Sequence, residues 1–310
     1  MRFLITGAGQ IGTQLARDLL AAGHDVTVLR RGTDAEPGAR LVRGDAGDPA
    51  TLRTALTGED GASADAILHC IHSSYDASAW RRDLPQRERA VMDAAADASI
   101  PVVFPESVYA FGEGAADLHE GAPLAPASPL GEVRAQLLRA RAAHRATTLS
   151  VVAADLLGPT AVPETSVFLQ LVLQPAAKGR RAWVLGDPSV PRTLTSIPDM
   201  TSAMAFAAQH ADALAPHGDA ILMAPSPEPL SQRELAERTA ALVGQRPHGA
   251  TGIPSPLLGA IGLFSPTFKE LGHQQYLWRR RAVIHPGTLS RDYGLQPTDL
   301  DRIILESLQR

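Results

Sequence analysis

Gly7, Gly9 and Gly12 stand in the pattern G-x-G-x-x-G, within Thr6-Gly7-Ala8-Gly9-Gln10-Ile11-Gly12. Glycines at this spacing suit a turn that holds phosphate. The first permits a tight bend, the second lets the backbone approach a pyrophosphate, and the third lets a following helix pack on the preceding strand. The N–H groups that open such a helix, around Gln10 and Ile11, carry partial positive charge toward the phosphates. A glycine turn with no ligand has the same spacing, so its neighbours must decide. At the end of the next strand-like run, where an NAD site carries an acid, the chain has Arg30-Arg31. Guanidinium groups fit a 2′-phosphate by charge and bidentate geometry, which favours NADP(H); solvated strand-end charges are the plainer alternative. His69, Cys70 and His72 carry metal-binding atoms, but alternation along a strand spreads them over two faces, and no metal site is expected.

The elements that must position these groups alternate between strand and helix, as in βαβ units with a parallel sheet. Strands are expected at Arg2–Thr6, Asp25–Arg30, Arg40–Arg43, Asp65–Ile71, Pro101–Pro105 and Thr148–Leu157. Between them, helical periodicity predicts Ile11–Ala22, Pro49–Leu56, Trp80–Ala98 and Pro129–Ala146. Beyond Gly158-Pro159, Val162–Leu173 reads as helix, and Arg181–Leu185 pairs with Arg192–Ile197 around Gly186-Asp187-Pro188. Helices are expected at Pro198–Gln209 and Ser231–Val243, and Gly244–Pro266 reads mostly as loop. The fold class is therefore α/β, a doubly wound parallel sheet with a smaller C-terminal part. Residues 1–158 form the dinucleotide-binding domain, rejoined by about 193–225, and 159–310 a mainly helical substrate-binding part.

Composition narrows the function classes. The 310 residues are 45% hydrophobic and 20% charged, as in an ordinary globular chain. A net charge of −4 advertises no nucleic-acid surface. The lone Cys70 excludes an internal disulfide and fits a reducing cytoplasm. The apolar stretch Leu149–Val162 is interrupted by Asp155, Gly158 and Pro159 and is too short to span a bilayer, so no membrane partner is expected. A small-molecule substrate is the expected partner, and a homodimer is compatible with the sequence.

With these residues in place, the chain resembles the NAD-dependent epimerase/dehydratase branch of the short-chain dehydrogenase/reductase superfamily. TGAGQIG is the nucleotide turn, and Gly44-Asp45, with Ala46, matches the family's adenine-contacting pair. DAILHCIHSSY matches the segment that runs along the cofactor, which implies contacts from Cys70, Ile71 and His72, and places Ser73, Ser74 and Tyr75 toward substrate. PESVYAFG resembles the fifth-strand S-x-x-x-Y-G region; Glu120, Pro123 and Pro126 resemble the spaced acid and prolines before the active-site helix. DLLGP and GDPSVPRTLTSIPDM resemble later substrate-domain segments, placing Asp155 at the cleft and Arg192 where family members meet a nucleotide-sugar diphosphate. An arginine in a hairpin is more often simply a surface group.

The departures bear on catalysis. The family's Tyr-x-x-x-Lys pair falls on Leu130 and Arg134. Leucine transfers no proton, and arginine keeps its own. Arg134 can still hold a ribose hydroxyl or an oxyanion. The resemblance leaves Ser107 at the family's catalytic Ser/Thr, with Tyr109 two residues on and, by strand alternation, on the same side. Tyr109 is then a substitute acid, or merely packing beneath the cofactor loop. His72, whose ordinary pKa suits proton transfer, and Tyr75 are further candidates, with a water-exposed loop histidine the bland alternative. The function implied is an NADP(H)-dependent oxidoreductase acting on a small metabolite by hydride transfer with a non-standard proton donor. A non-redox isomerase, lyase or cyclase, or a non-catalytic NADP(H) sensor, is the alternative.

Overall fold

The apolar runs become the strands of one parallel sheet. In the computed structural model, which describes residues 1–58, 60–254 and 266–309, these are β1 (Arg2–Thr6), β2 (Asp25–Arg30), β3 (Arg40–Arg43), β4 (Ala66–His69), β5 (Val102–Ser107) and β6 (Thr148–Ala153). The strand Asp219–Met223 joins them, giving the order Asp219–Met223, β6, β5, β4, β1, β2, β3. Both faces are covered, which is why these strands are continuously apolar rather than alternating. Helix α1 (Gln10–Ala21) and the helix Ile197–Gln209 pack on one face around Phe3, Ile5, Leu15 and Met204. Helices α2 (Pro49–Leu56) and α3 (Ala77–Ala98) cover the other around Leu4, Leu52, Ile67 and Phe104. Among the described residues, no helix is long and apolar enough to cross a membrane.

Several boundaries moved for identifiable reasons. Helix α3 begins one turn before Trp80 because the Asp76 carboxylate accepts from Ala79 N at 2.8 Å and caps it. Strand β5 continues through Pro105 to Ser107 in register with Ala153, and α4 (Pro129–Ala142) stops short of Ala146. The expected strand Thr148–Leu157 divides at Ala154, whose N–H donates to Thr195 Oγ1 at 3.1 Å; Asp155–Leu157 then pairs with Leu194–Ser196. The expected hairpin between Arg181–Leu185 and Arg192–Ile197 does not form. Ala182–Val184 pairs instead with Ala250–Gly252, and Arg192 with Leu230. The Gly186 turn, at φ +66°, docks on another segment rather than reversing the strand: Asp187 N donates to Trp278 O at 3.0 Å. The stretch Val162–Leu173 is helical in pieces, a short turn at Pro163–Thr165 and a wide π turn at Leu169–Leu173. The expected loop Gly244–Pro266 contains the strand Ala250–Gly252, and its part 255–265 lies outside the described residues.

One face of α4 carries Leu130, Arg134, Leu138 and Arg141, at the spacing that aligns residues along a helix. Its two guanidiniums enter the interior. Arg141, 1% exposed, holds Glu88 of α3 through two bonds of 2.7 and 2.8 Å and Glu106 of β5 at 2.9 Å. It also donates to Ser150 Oγ and lies over the Phe104 ring, 4.0 Å from its centroid. Burial alone would lower its pKa, but the two carboxylates more than restore it, so the guanidinium stays charged.

Breaking this group strands charge in the core. Arg141→Met leaves Glu88 and Glu106 without their shared cation, and should cost about 3–5 kcal/mol in urea unfolding. Adding Glu88→Met should recover part of that loss. His69 supplies a second test, because burial first, and Arg141, Arg87 and Arg134 after it, push its pKa down to about 3. Between about pH 6.5 and 3 the unfolded chain takes up a proton that folded His69 refuses, so stability falls with pH across that window. His69→Gln should remove up to one proton from this dependence, about 1.4 kcal/mol per pH unit. An unchanged slope would refute the assignment.

Candidate functional site

All strands of the main sheet run the same way, so the segments that follow them meet at one edge. Gly7 follows β1, Arg30 ends β2, Asp45 and Ala46 follow β3, Cys70 to Tyr75 follow β4, and Ser107 ends β5. That edge is where doubly wound sheets place ligands. The glycine turn is built on close approach. Gly7 sits at φ +90°, where a side chain is strained, and a Cβ there would lie 2.9 Å from Ile71 N. A Cβ on Gly12 would collide with the Gly7 carbonyl oxygen, so α1 starts directly against the turn. Gly9 differs: nothing lies within 4 Å of where its Cβ would stand. The turn is crowded on its protein side and open on its outer side, a cradle of the shape a pyrophosphate needs. The residues present fit a dinucleotide.

At the far end of this cradle Arg30 curls over Gly32, and its Nη1 donates to Asp34 O at 2.7 Å; Arg31 is exposed. Asp45 turns back to accept from Gly47 N at 2.8 Å, and Ala46 is buried. Gln10 accepts from Thr165 Oγ1 at 3.3 Å, bringing the start of α1 to the segment beyond β6.

At the other end, His72, Arg134 and Trp80 come together. His72 Nδ1 donates to Ser73 O at 2.7 Å, which leaves Nε2 to accept from Arg134 Nη2 at 2.6 Å. The surrounding protein and then the Arg134 charge hold the ring's pKa down, at about 4, although its outer edge meets solvent. Trp80 stands edge-on to His72, with ring centroids 4.6 Å apart, and Arg134 lies 4.7 Å from the Trp80 ring centroid. Glu106 backs the arrangement: its Oε1 accepts from Ser107 N at 2.8 Å and lies 3.5 Å from Arg134 Nε.

Ser107 and Tyr109 do line one cavity, but not through strand alternation. β5 ends at Ser107, and Tyr109 belongs to the tight helical turn Val108–Asp117. Tyr75 reaches the same place from the loop after β4, and the Tyr75 and Tyr109 hydroxyls are 3.0 Å apart. Burial raises both phenol pKa values. For Tyr109 the Tyr75 hydrogen bond and the Arg134 and Arg192 charges oppose that rise, while Asp155 adds to it. Leu130 is fully buried with Trp80, Leu84 and Val133, and the two tyrosines pack against this group. Ser73 turns away to donate to Asp83 at 2.8 Å, and Ser74 is exposed.

The cavity beside Tyr109 also meets Asp155, Arg192, Trp278 and Ile284 and encloses about 60 Å³. Arg192 is not a surface group. It is 3% exposed, donates to Asp155 at 2.7 Å and to Leu277 O, and stacks on Trp278. Residue spacing gave no hint of Glu106, Glu88 or Trp80, since each depends on contacts between distant segments. The nearest signal was the arginine pair on the α4 face. The chain has no lysine before Lys178, so every cation in the cleft just described is a guanidinium.

Residues 3–222 match the model of the NAD dependent epimerase/dehydratase family. Solved structures share the fold over nearly the whole chain. A putative epimerase from Burkholderia cenocepacia superposes with a TM-score of 0.75 at 21% identity, covering 99% of this chain and 96% of that one. A dTDP-glucose 4,6-dehydratase double mutant from Streptomyces venezuelae, with NAD bound, gives 0.74 at 23% identity, covering 100% and 98%. A Thermus thermophilus UDP-glucose 4-epimerase in complex with NAD gives 0.71 at 19% identity, covering 99% and 97%. No curated protein matches the sequence significantly.

The asymmetry of the glycine turn gives a test. Gly9 has an ordinary extended conformation at φ −83° and open space around it, so Gly9→Val should melt within a few degrees of the parent. The valine side chain would nevertheless fill the phosphate side of the turn, and nicotinamide dinucleotide binding should fall at least tenfold, on the order of 1.4 kcal/mol, by fluorescence titration. A folded variant that binds normally would place the phosphates elsewhere.

Proposed function

The chain belongs to the NAD dependent epimerase/dehydratase family, and from that premise we propose that it is an NADP(H)-dependent oxidoreductase of the short-chain dehydrogenase/reductase superfamily, acting on a small metabolite. The observation that carries this reading is the pair of Tyr75 and Tyr109 hydroxyls, 3.0 Å apart, beside Ser107. Gly7, Gly9, Gln10, Ile11 and Gly12 hold the pyrophosphate, Asp45 and Ala46 border the adenine, and Cys70, Ile71 and His72 run along the nicotinamide half. A nicotinamide dinucleotide bound there supplies the hydride. The substrate oxygen that gains charge in such a reduction needs a proton.

Tyr109 supplies that proton. Burial keeps it a neutral phenol at ordinary pH, and an alkoxide, about as basic as hydroxide, takes its proton readily. If Tyr75 donates to the Tyr109 oxygen, the Tyr109 proton points onward, and the anion left behind is stabilised by Tyr75 and by Arg134 and Arg192. Ser107 orients the substrate oxygen, Arg134 holds the cofactor ribose, and Tyr75 borders the substrate, with Ser74 beside it and Ser73 held back by Asp83. Neutral phenols give protons better than they take them, so the favoured direction is reduction of a ketone, imine or activated alkene. The internally committed Arg192, held by Asp155, supports a substrate other than a nucleotide sugar. A non-redox isomerase, lyase or cyclase remains the second reading, favoured by the buried Leu130 at the family's tyrosine position.

NADPH consumption with a panel of small carbonyl compounds tests the reaction. Tyr109→Phe should lower kcat by about 10²–10⁴-fold, and Leu130→Ala should not remove a proton-transfer step. Product formation without NADPH oxidation would replace this reading by the second. Calorimetry should show NADP(H) binding more tightly than NAD(H), with Arg30→Asp erasing about tenfold or more of that preference. Equal affinities in the parent would overturn the 2′-phosphate assignment.

A further inference from the structure

Away from the cleft, Asp117, His119 and His285 lie together on the surface, each with one ligand atom within 4.8 Å of the others. Backbone pairing puts them there. Leu118 and Ile284 form a parallel bridge, with Leu118 N donating to Val283 O at 2.7 Å and His285 N to Leu118 O at 2.9 Å. Both bridged side chains are buried. The flanking His119 and His285 therefore stand side by side on the outer face, and Asp117, two residues before His119, shares that face. The imidazoles stack with centroids 4.0 Å apart and planes 8° apart. Both Nε2 atoms turn to the same carboxylate, 2.7 Å from Asp117 Oδ1 for His285 and 3.7 Å from Oδ2 for His119.

The backbone on each side is pinned. Glu120, next to His119, accepts from Thr288 N at 2.9 Å, Thr288 Oγ1 at 2.7 Å and Met223 N at 3.1 Å. Val283 N donates to Ala115 O at 3.0 Å, and Ala282 N to Pro191 O at 3.0 Å. The ligand positions are thus set before any ion arrives, which lowers the ordering cost of binding.

We infer that Asp117, His119 and His285 form a surface site for a divalent transition metal of the zinc class, clipping the turn after β5 to the segment 282–285. Two imidazole nitrogens and one carboxylate oxygen match the preference of a borderline cation, and water completes a four-coordinate shell. An alkaline-earth ion, which prefers a shell of oxygens, fits poorly. Metal binding replaces the contact that His285 Nε2 and Asp117 Oδ1 now make with each other at 2.7 Å. Among the described residues, Arg281 Nη2, 3.1 Å from Asp117 Oδ1, competes for this carboxylate, and its exposed ion pair is weak enough to yield. The clip joins two walls of the cavity, because Tyr109 begins the turn on one side and Ala282 and Ile284 line the other.

Zinc titration of the untagged full chain tests this, by calorimetry and by melting. One Zn²⁺ should bind per chain and raise the melting temperature by a few degrees. His119→Ala and His285→Ala should each weaken binding at least about tenfold, and Arg281→Ala should strengthen it. Melting without zinc checks that each variant is folded, which exposed side chains allow. Absence of zinc binding by the parent, or unchanged affinity in the folded His119→Ala/His285→Ala double variant, would overturn the site.

Discussion

A single guanidinium in the interior, that of Arg141, sets the position of much else. An arginine can be buried only if its charge is answered and its N–H groups are occupied, and Glu88 and Glu106 do both. That requirement ties α3, α4 and β5 together at one depth. Glu106 is then the pivot, because its other oxygen faces outward to Ser107 N and Arg134. Arg134 in turn fixes His72, and Trp80 lies beneath both. Few of these groups can move alone, since shifting one leaves a partner's charge or hydrogen bond unanswered, and around Arg141 and Glu106 no water can substitute. A charge chain of this kind holds geometry more than it supplies net stability.

How much of this could be read from the sequence follows the range of the interactions. The strands of the sheet and the helices between them were legible, because burial on both faces writes itself as local apolar runs and glycine-delimited turns. The glycine turn was legible for the same reason: Gly7 and Gly12 answer to contacts within one turn and its neighbouring strand. Beyond Leu157 the reading failed where pairing is long-range. Nothing near Arg181–Leu185 announces that its partner is Ala250–Gly252. The division of the expected strand at Ala154 depends on Thr195, some forty residues on. Arg192 was placed in a hairpin by local turn chemistry, yet Asp155 and the stacked Trp278 hold it inside.

At the candidate site the sequence named Ser107, Tyr109, Tyr75, His72 and Arg134 but misjudged how they meet. Strand alternation does not put Ser107 and Tyr109 on a shared side; a helical turn after β5 delivers Tyr109. The phenol pair itself needed two loops from different strands and was invisible to spacing. The cations around it are guanidiniums, which hold their charge across the working range of an enzyme. Any titration in the cleft near neutral pH must therefore come from other groups, and His72 is held too low to be one of them.

Trp80 touches nearly every member of this group. It stacks with Tyr109, stands edge-on to Tyr75 and His72, and lies under the Arg134 guanidinium. Of the three tryptophans, Trp278 borders the cavity, Trp80 packs behind its Tyr109 wall, and Trp183 alone is exposed. Two of the three indoles thus sit where a bound molecule would change their surroundings. The protein carries its own optical probe: quenching or a colour shift of its native emission reports occupancy of the cleft with no label attached. Because a reduced nicotinamide absorbs in the region where indole emits, a ligand of that kind would also betray itself by energy transfer from these rings.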